Sequence, residues 1–503
     1  MSIEAGPPAT VNGTGSEVLP SKQWTRVLEA LYSESVLAKV WFVASKAMGS
    51  VSDTIFKPFY HLSVRPGILI RKKQTNPPTL YPEYTGEDKT TYIYRTLDFW
   101  TSGFFPGSLY LLLERSTLFR DRHIAPHSTQ ANSESVLRPH PLQHEHLCRW
   151  WTANLHQHAL RKDTHDLGFM ITPWAMKAWT LHRDPAAYNT LVLAAHSLAS
   201  RFSESTQCIR SWDQCITKRY AYKDPSQDFL VIIDNMLNLD MLFWVARETD
   251  CPRLYDIARA HAITTLKHHI RDDRTTFHVI NLDPKTGAVK SKFTNQGYSD
   301  SSCWARGQAW GILGFVQTFG WTQETEFLRT ARALADVFLA RLPDDGVPYW
   351  DFDAPVTDTS PRDTSAAMIA ACGMLLLCKA YKKLQDTDAA NYYLRAAMKL
   401  VDCTVGGYLN QPMHFETGPS LEVPIYADQC STHQTEARKG FEALKVIGDR
   451  NASETILTGA TINNYEFAPR RWSNHGLVYA DYYFLLFGNM LLEMDFVDDF
   501  KER

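Results

Sequence analysis

Three stretches of the 503-residue chain set residue types where they could do acid–base or carbohydrate chemistry. In the first, Asp234 follows the apolar run Phe229 to Ile233. Burial against such neighbours disfavours a charged carboxylate and raises its pKa, which is the condition for a general acid near neutral pH. Standing just before an apolar helical pattern, the same residue also fits an N-cap, whose side-chain oxygen accepts an orphan helix N–H. Asp166, preceded by Thr164 and His165 and followed by Leu167 to Met170, carries the same two readings. The third stretch runs from Gln296 through Asp300 and Trp304 to Trp310. Arg306 and Trp310 lie four apart, hence on one face of a helix, and set a guanidinium able to clasp a carboxylate beside a ring able to stack on a sugar.

Other chemistries lack their residues. The chain has no Gly-x-Ser-x-Gly elbow, Walker loop, Gly-x-Gly-x-x-Gly fingerprint or His-Glu-x-x-His pair. His144/His146 and His156/His158 are spaced by two on a helical pattern, do not face one another, and are read as exposed. A formal net charge of -3 offers no basic footprint for nucleic acid or an anionic membrane surface. The most apolar stretch, 229–246, contains Asp234, Asn235, Asn238 and Asp240, which argues against a membrane span. Nine cysteines without a Cys-x-x-Cys pair fit the reduced thiols of a cytoplasmic protein better than a disulfide frame or a zinc ribbon. Met1 to Pro20, rich in Gly, Pro, Ser and Thr, is read as a flexible tail rather than an export signal.

The elements that must hold these residues are helical almost throughout. Leu254, Ile257, Ala258, Ala262, Leu266 and Ile270 line one helix face, and Phe327, Ala331, Leu334, Ala335 and Phe338 line another. Tyr393, Ala397, Leu400 and Val401 repeat the pattern. Further helices are expected near 22–49, 106–119, 142–162, 171–183, 185–203, 235–249, 302–319, 363–383, 432–447 and 476–494. Short connections alternate with long polar ones, which suits helical hairpins arranged around a ring with the long loops gathered at one end. Residues 275–292, with a turn at Pro284 to Gly287, form a β-hairpin excursion, and residues 120–141 a polar surface insertion. No tandem period emerges, so a closed all-α barrel over residues 21–503, a single domain, is expected rather than an open solenoid. These features by themselves describe a carbohydrate-active helical barrel without a named reaction.

Five segments in order resemble glycoside hydrolase family 88, the unsaturated glucuronyl hydrolases: Phe99-Trp100 through Gly107, His165-Asp166-Leu-Gly-Phe, Ile233-Asp234-Asn-Met, Gly297 through Asp300 into Trp304-Ala-Arg306-Gly-Gln-Ala-Trp310, and Asp481-Tyr-Tyr-Phe. The likeness covers roughly residues 85 to 495, and the ordered set is far more specific than any one motif. It implies an (α/α)6 barrel. It also implies removal of a 4-deoxy-4,5-ene glucuronyl residue from the non-reducing end of lyase-generated oligosaccharides, by protonation of C4 and hydration at C5, with no metal or cofactor. By the same resemblance Asp234 is the proton carrier, Asp166 the second acid, and His165, His278 and Gln296 are polar substrate contacts. Arg306 becomes the candidate for the substrate carboxylate, and Trp100, Trp212 and Trp310 the candidate pocket aromatics. Asp351 and Asp363 resemble family motifs too, but are read as loop and cap residues. Ser301, where the family often has a second Asp, and Thr164, where another His or Asp is frequent, depart from the pattern. Two other readings stay open on the residues alone: a hydrolase of unsaturated galacturonyl ends of pectin fragments, and a non-catalytic barrel that binds acidic sugars.

Overall fold

The computed structural model describes residues 24–54, 76–120, 137–420, 442–449 and 451–494. The expected tail at residues 1–20 and most of the expected insertion at 120–141 lie outside them. Helices α1 (Thr25–Tyr32) and α2 (Glu34–Thr54) open the chain, followed by α3 (Phe104–Leu118), α4 (Pro141–Thr152), α5 (Leu167–His182) and α6 (Pro185–Ala199). Then come α7 (Leu239–Thr249), α8 (Pro252–His269), α9 (Ala305–Thr322), α10 (Thr325–Ala340), α11 (Thr364–Lys383), α12 (Thr387–Tyr408) and α13 (Val478–Glu493).

Helices α3, α5, α7, α9, α11 and α13 are neighbours in that order, and α13 returns to α3, so they close a helical barrel. The intervening helices α4, α6, α8, α10 and α12 cover it from outside, with α1 and α2 completing the outer layer. Sequence follows from layer. The outer α10 buries one face, Phe327, Leu328, Ala331, Leu334, Ala335 and Phe338 with Thr330 at its edge, as a one-sided helix must. The inner α9 is buried at every position from Ala305 to Val316, and α11 at nearly all of Thr364 to Tyr381, because both sides of an inner helix meet protein. Helix α11 is long and apolar enough to cross a membrane, yet 89% of its most apolar window is buried inside the ring. Proline at the first turn sets the entry of α4, α6 and α8, and the Asp184 and Asp386 side chains cap α6 and α12. All eight cysteines among the described residues are unpaired.

The sheet content differs from the expected hairpin. Val279–Leu282 and Val289–Phe293 pair as anticipated around a turn in which Gly287 takes φ +71°, but Phe229–Ile232 adds a third antiparallel strand on the other side of Val279–Leu282. The added strand is apolar at every position because it is covered on both faces: Phe229 and Val231 pack with Cys208, Ile280 and Leu282, while Leu230 and Ile232 pack with Cys215, Val279 and Phe293. The chain then makes a 3-10 turn, Ile233–Asn238, so α7 starts at Leu239 rather than near 235. Residues 442–448 are also a strand, paired with Met413–Ser420, where a helix over 432–447 was expected. Leu444 and Val446, two apart, both turn to the core, which is a strand period, and 432–441 lie outside the described residues. His144 and His158, read as exposed, are buried at 3% exposure each, because their elements pack inward on α3 and α6.

The 3-10 turn lies directly on α9. A Cβ built at Gly314 would sit 2.5 Å from Met236 Cβ, too close for two carbons. Gly314→Ala is therefore expected to destabilise the protein by about 1–3 kcal/mol through overpacking. Urea denaturation measures this, and an unchanged midpoint would show that the turn has room to move.

Candidate active site

Asp166 and Asp234 come together at one end of the barrel, Asp166 at the start of α5 and Asp234 on the 3-10 turn that follows the strand Phe229–Ile232. Neither carboxylate caps its own helix. Asp166 occupies the cap position of α5 but makes no capping bond, and Asp234 makes none either. The orphan N–H of Gly168, in the first turn of α5, goes instead to Asn238 Oδ1 at 2.8 Å. Asn238 Nδ2 donates to Asn235 Oδ1 at 3.3 Å, and Asn235 Nδ2 reaches Ile209 O at 3.1 Å. The two amides thus bind the elements that carry the two acids to each other and leave the acids free. Gly168 is required for the approach, since a Cβ there would lie 2.4 Å from Asn238 Oδ1.

Asp166 and Asp234 are 18% and 19% exposed in their side chains, open enough for a ligand to reach. Thr164 Oγ1 donates to Asp166 Oδ2 at 2.8 Å. Desolvation raises the pKa of Asp234, and Asp166 adds to the rise, against the lowering effects of His165 and Arg306. The motif residues around the acids divide into two groups. Trp100 and Trp212 are half-buried at the rim, Trp100 against Phe104, Phe169 and Tyr479, and Trp212 edge-on to His278. Gln296 is half-buried nearby, its Oε1 3.4 Å from Arg306 Nη2. Burial lowers the pKa of His278 to about 3, helped by Arg306, so its ring is neutral. Its Nδ1 accepts from Asn295 N at 3.1 Å, which leaves the hydrogen on Nε2 as a donor.

Three expectations are corrected by burial. Trp310 is 1% exposed and enclosed by Phe169 and Tyr483, with centroids at 5.4 and 5.6 Å, so it backs the pocket wall instead of offering a face to a sugar. Arg306, also 1% exposed, does not wait for a carboxylate. Its Nη1 pairs with Asp363 Oδ2 at 2.6 Å and donates to Thr461 O at 2.5 Å, while Nη2 donates to Ile462 O at 2.5 Å, and the guanidinium lies 4.6 Å from the Trp304 ring centroid. The four-residue spacing is right, but that face of α9 points at α11 and not into open space. His165, expected on the substrate, is 1% exposed behind the two carboxylates. Asp363 is the α11 cap as read, accepting from Ser365 N and Ala366 N, and Asp351 is a loop residue holding Tyr298 N and Ser302 Oγ.

Sequence reasoning passed over Asn238, Ser211, Arg201 and Tyr479. Asn238 left a faint signal, a second Asn three residues after Asn235 in an apolar run; the others left none, because Ser211 and Tyr479 meet His165 and Arg306 only in the fold and Arg201 acts through a backbone carbonyl. Among the described residues no group of three or more His, Cys, Asp or Glu is arranged to hold a metal ion.

No family model matches the chain. It is 35% identical over 283 residues to the unsaturated glucuronyl hydrolase of Formosa agariphila, a match spanning 55% of this chain and 62% of that protein, less than two thirds of its length. It is 32% identical over 359 residues to the unsaturated chondroitin disaccharide hydrolase of Streptococcus pyogenes serotype M1, spanning 71% of this chain and 80% of that one. Among solved structures, the unsaturated glucuronyl hydrolase of Bacillus sp. GL1 shares the fold with a TM-score of 0.66 at 22% identity, over 93% of this chain and 97% of that one.

Replacing Asn238 tests the geometry. Asn238→Ala removes the borrowed cap and leaves a buried N–H without a partner, an expected loss of about 1–2 kcal/mol read from the urea midpoint. A variant as stable as the parent would mean that Asp166 takes over the cap, and Asp166 would then no longer be free.

Proposed function

The chain belongs to the unsaturated glucuronyl hydrolases, glycoside hydrolase family 88, and we propose that its six inner helices and the helices that cover them form an (α/α)6 barrel in which Asp234 drives vinyl-ether hydration. Members of this family hydrolyse unsaturated glucuronyl residues left by polysaccharide lyases, and the proposed substrate here is an unsaturated glucuronyl disaccharide or short oligosaccharide.

The chemistry follows from the substrate's double bond. The ring oxygen pushes electron density into C4=C5, so the enol-ether carbon C4 takes a proton and positive charge develops at C5 and the ring oxygen. Asp234 is the proton donor in this reading. The observation that carries it is a desolvated carboxyl with a raised pKa, beside a second acid and bound to no backbone cap. The negative charge of the Asp166 carboxylate favours the cationic transition state and opposes ionisation of Asp234. Once the proton has left, Asp234 is a base: it takes a proton from water as the hydroxyl adds to C5. The hemiketal then opens at the C5–O5 bond, and the resulting hemiacetal at C1 expels the aglycone. Asp234 ends protonated, as it began. No glycosyl–enzyme bond forms, so the separation of the two carboxylates does not report on retention or inversion.

His278, neutral with its hydrogen on Nε2, is the proposed partner of a water or hydroxyl near C5, and Trp100 and Trp212 the proposed rims for the sugar rings. Arg306 acts from behind, holding Gln296 and favouring the ionised form of Asp234 by its positive charge. A cytoplasmic location is proposed as well, supported by the unpaired thiols.

Hydration of C4=C5 destroys the vinyl-ether chromophore. The protein is expected to bleach the ultraviolet absorbance of unsaturated disaccharides from chondroitin, heparin, glucuronan or gellan without added metal, and persistent absorbance across all four would overturn the reading. Asp234→Asn keeps the shape but not the proton, so kcat is expected to fall by about a hundredfold or more while binding of the disaccharide, read by calorimetry, persists. Undiminished turnover would return Asp234 to a structural role.

A further inference from the structure

The reaction as written leaves His165 without a task, yet the ring sits at the junction of both acids. Its Nδ1 lies 3.0 Å from the Ser211 carbonyl oxygen, and a carbonyl only accepts, so Nδ1 carries a hydrogen. Arg201 Nη2 donates to the same oxygen at 3.2 Å and to Asp213 Oδ1 at 2.9 Å, which anchors the carbonyl from the far side. A neutral His165 must therefore turn a bare Nε2 lone pair toward Asp166 Oδ1 at 3.3 Å and Asp234 Oδ1 at 3.4 Å. With both acids ionised, three lone pairs would converge behind a surface from which water is largely excluded. One proton converts that repulsion into attraction, whether it rests on Nε2 or on Asp234.

We propose that His165 is a positioning residue that shares with Asp234, through Nε2, the proton delivered to C4, and that Ser211 and Arg201 fix the tautomer this sharing needs. The proposal rests on Asp234 being the acid of the preceding section. It adds a reason for the second half of the cycle. When the proton goes to C4, three lone pairs face one another again, and the repulsion makes Asp234 a stronger base toward the water that adds to C5. The balance closes: one proton passes from the group to C4, one returns from water, and hydroxide is left on C5.

The charged and titratable neighbours agree with this arrangement. Asp166 and Asp234 face Nε2, Arg201 stands behind Ser211, and Arg306 acts on Asp234 from α9. His261, on α8, is held near pKa 3 by burial and accepts from Ile209 N at 3.0 Å, so it is neutral and contributes no charge. Burial alone would push His165 down, and the two carboxylates outweigh it, Asp166 first, so its pKa lies above the ordinary histidine value. The sign matters for activity: the shared proton is present at low pH and lost as pH rises through the titration of the group.

Two measurements test the sharing. The first is the titration of the His165 ring in histidine-labelled protein by nitrogen NMR, assigned by the signal absent from His165→Asn. In Asp234→Asn the His165 pKa is expected to fall by about one unit or more, since one of the two carboxylates at Nε2 has gone. An unmoved titration overturns the proposal, and this readout needs neither turnover nor a foldable His165→Gln. The second is the pH profile of kcat/KM in His165→Gln, whose amide can donate to the carboxylates but cannot titrate. Its alkaline limb is expected to move to lower pH, with kcat down about ten- to a hundredfold. A uniform drop with the limb unmoved would assign His165 to packing alone. If instead Asp234→Asn turns over normally, the reading of Asp234 itself fails, which is a separate outcome from either result on His165.

Discussion

The site depends on a cap borrowed from the neighbouring element of the barrel. An α-helix begins with N–H groups that have no partner inside it, and the nearest acid in sequence ordinarily supplies one. Here Asn238 supplies it from the 3-10 turn of another element, at 2.8 Å from Gly168 N. Asp166 is thereby released from the task that its position would assign it. Because Asn238 also bonds Asn235, and Asn235 reaches the 209–211 segment, the same network helps to set where Asp234 lies and holds the segment whose Ser211 carbonyl orients His165. One amide chain therefore decides the placement of both acids and the tautomer of the histidine between them.

Around this network the walls are made rigid rather than reactive. The Arg306–Asp363 pair is almost fully enclosed, and such pairs add little net stability because desolvation cancels much of the attraction. Breaking one is costly, however, and this pair ties α9 to the start of α11 and to the 461–462 backbone in a single arrangement. The Trp304 and Tyr479 rings both lie against the guanidinium, at 4.6 and 5.5 Å, and Trp310 packs on Phe169. Packed aromatic rings and a cation already paired leave these walls little freedom to rearrange.

Desolvation and charge pull in opposite directions at the acids, and the outcome suits a group that must both give and accept a proton. Burial and Asp166 favour the protonated Asp234, while His165 and Arg306 favour the carboxylate. A carboxyl buried without the cations would keep its proton too firmly; one paired without burial would lose it well below neutral pH.

The helical ring was legible in the sequence because apolar periodicity reports which side of a helix is covered: the expected faces of α10 and α12 are buried, and that of α8 is buried from Leu254 to Ala262, with Leu266 and Ile270 half-buried at its end. The strand at 229–232 and the strand at 442–448 were not, since a short apolar run buried on both faces has no period to read and Leu444 and Val446 look alike in either pattern. Among the site residues, the identity and order of Asp166, Asp234, His165 and the 296–310 segment were written in the chain. What Arg306, Trp310 and His165 face was not: spacing fixes a side chain's direction relative to its own helix, and only packing decides what stands opposite. The sequence by itself determined a helical barrel with two candidate acids of the glucuronyl hydrolase type. The tertiary structure alone decided that Asp166 is free of its cap, because the hydrogen bond to Gly168 N comes from Asn238, 70 residues away along the chain, and that Asp234 lies inside a 3-10 turn and not at a helix start.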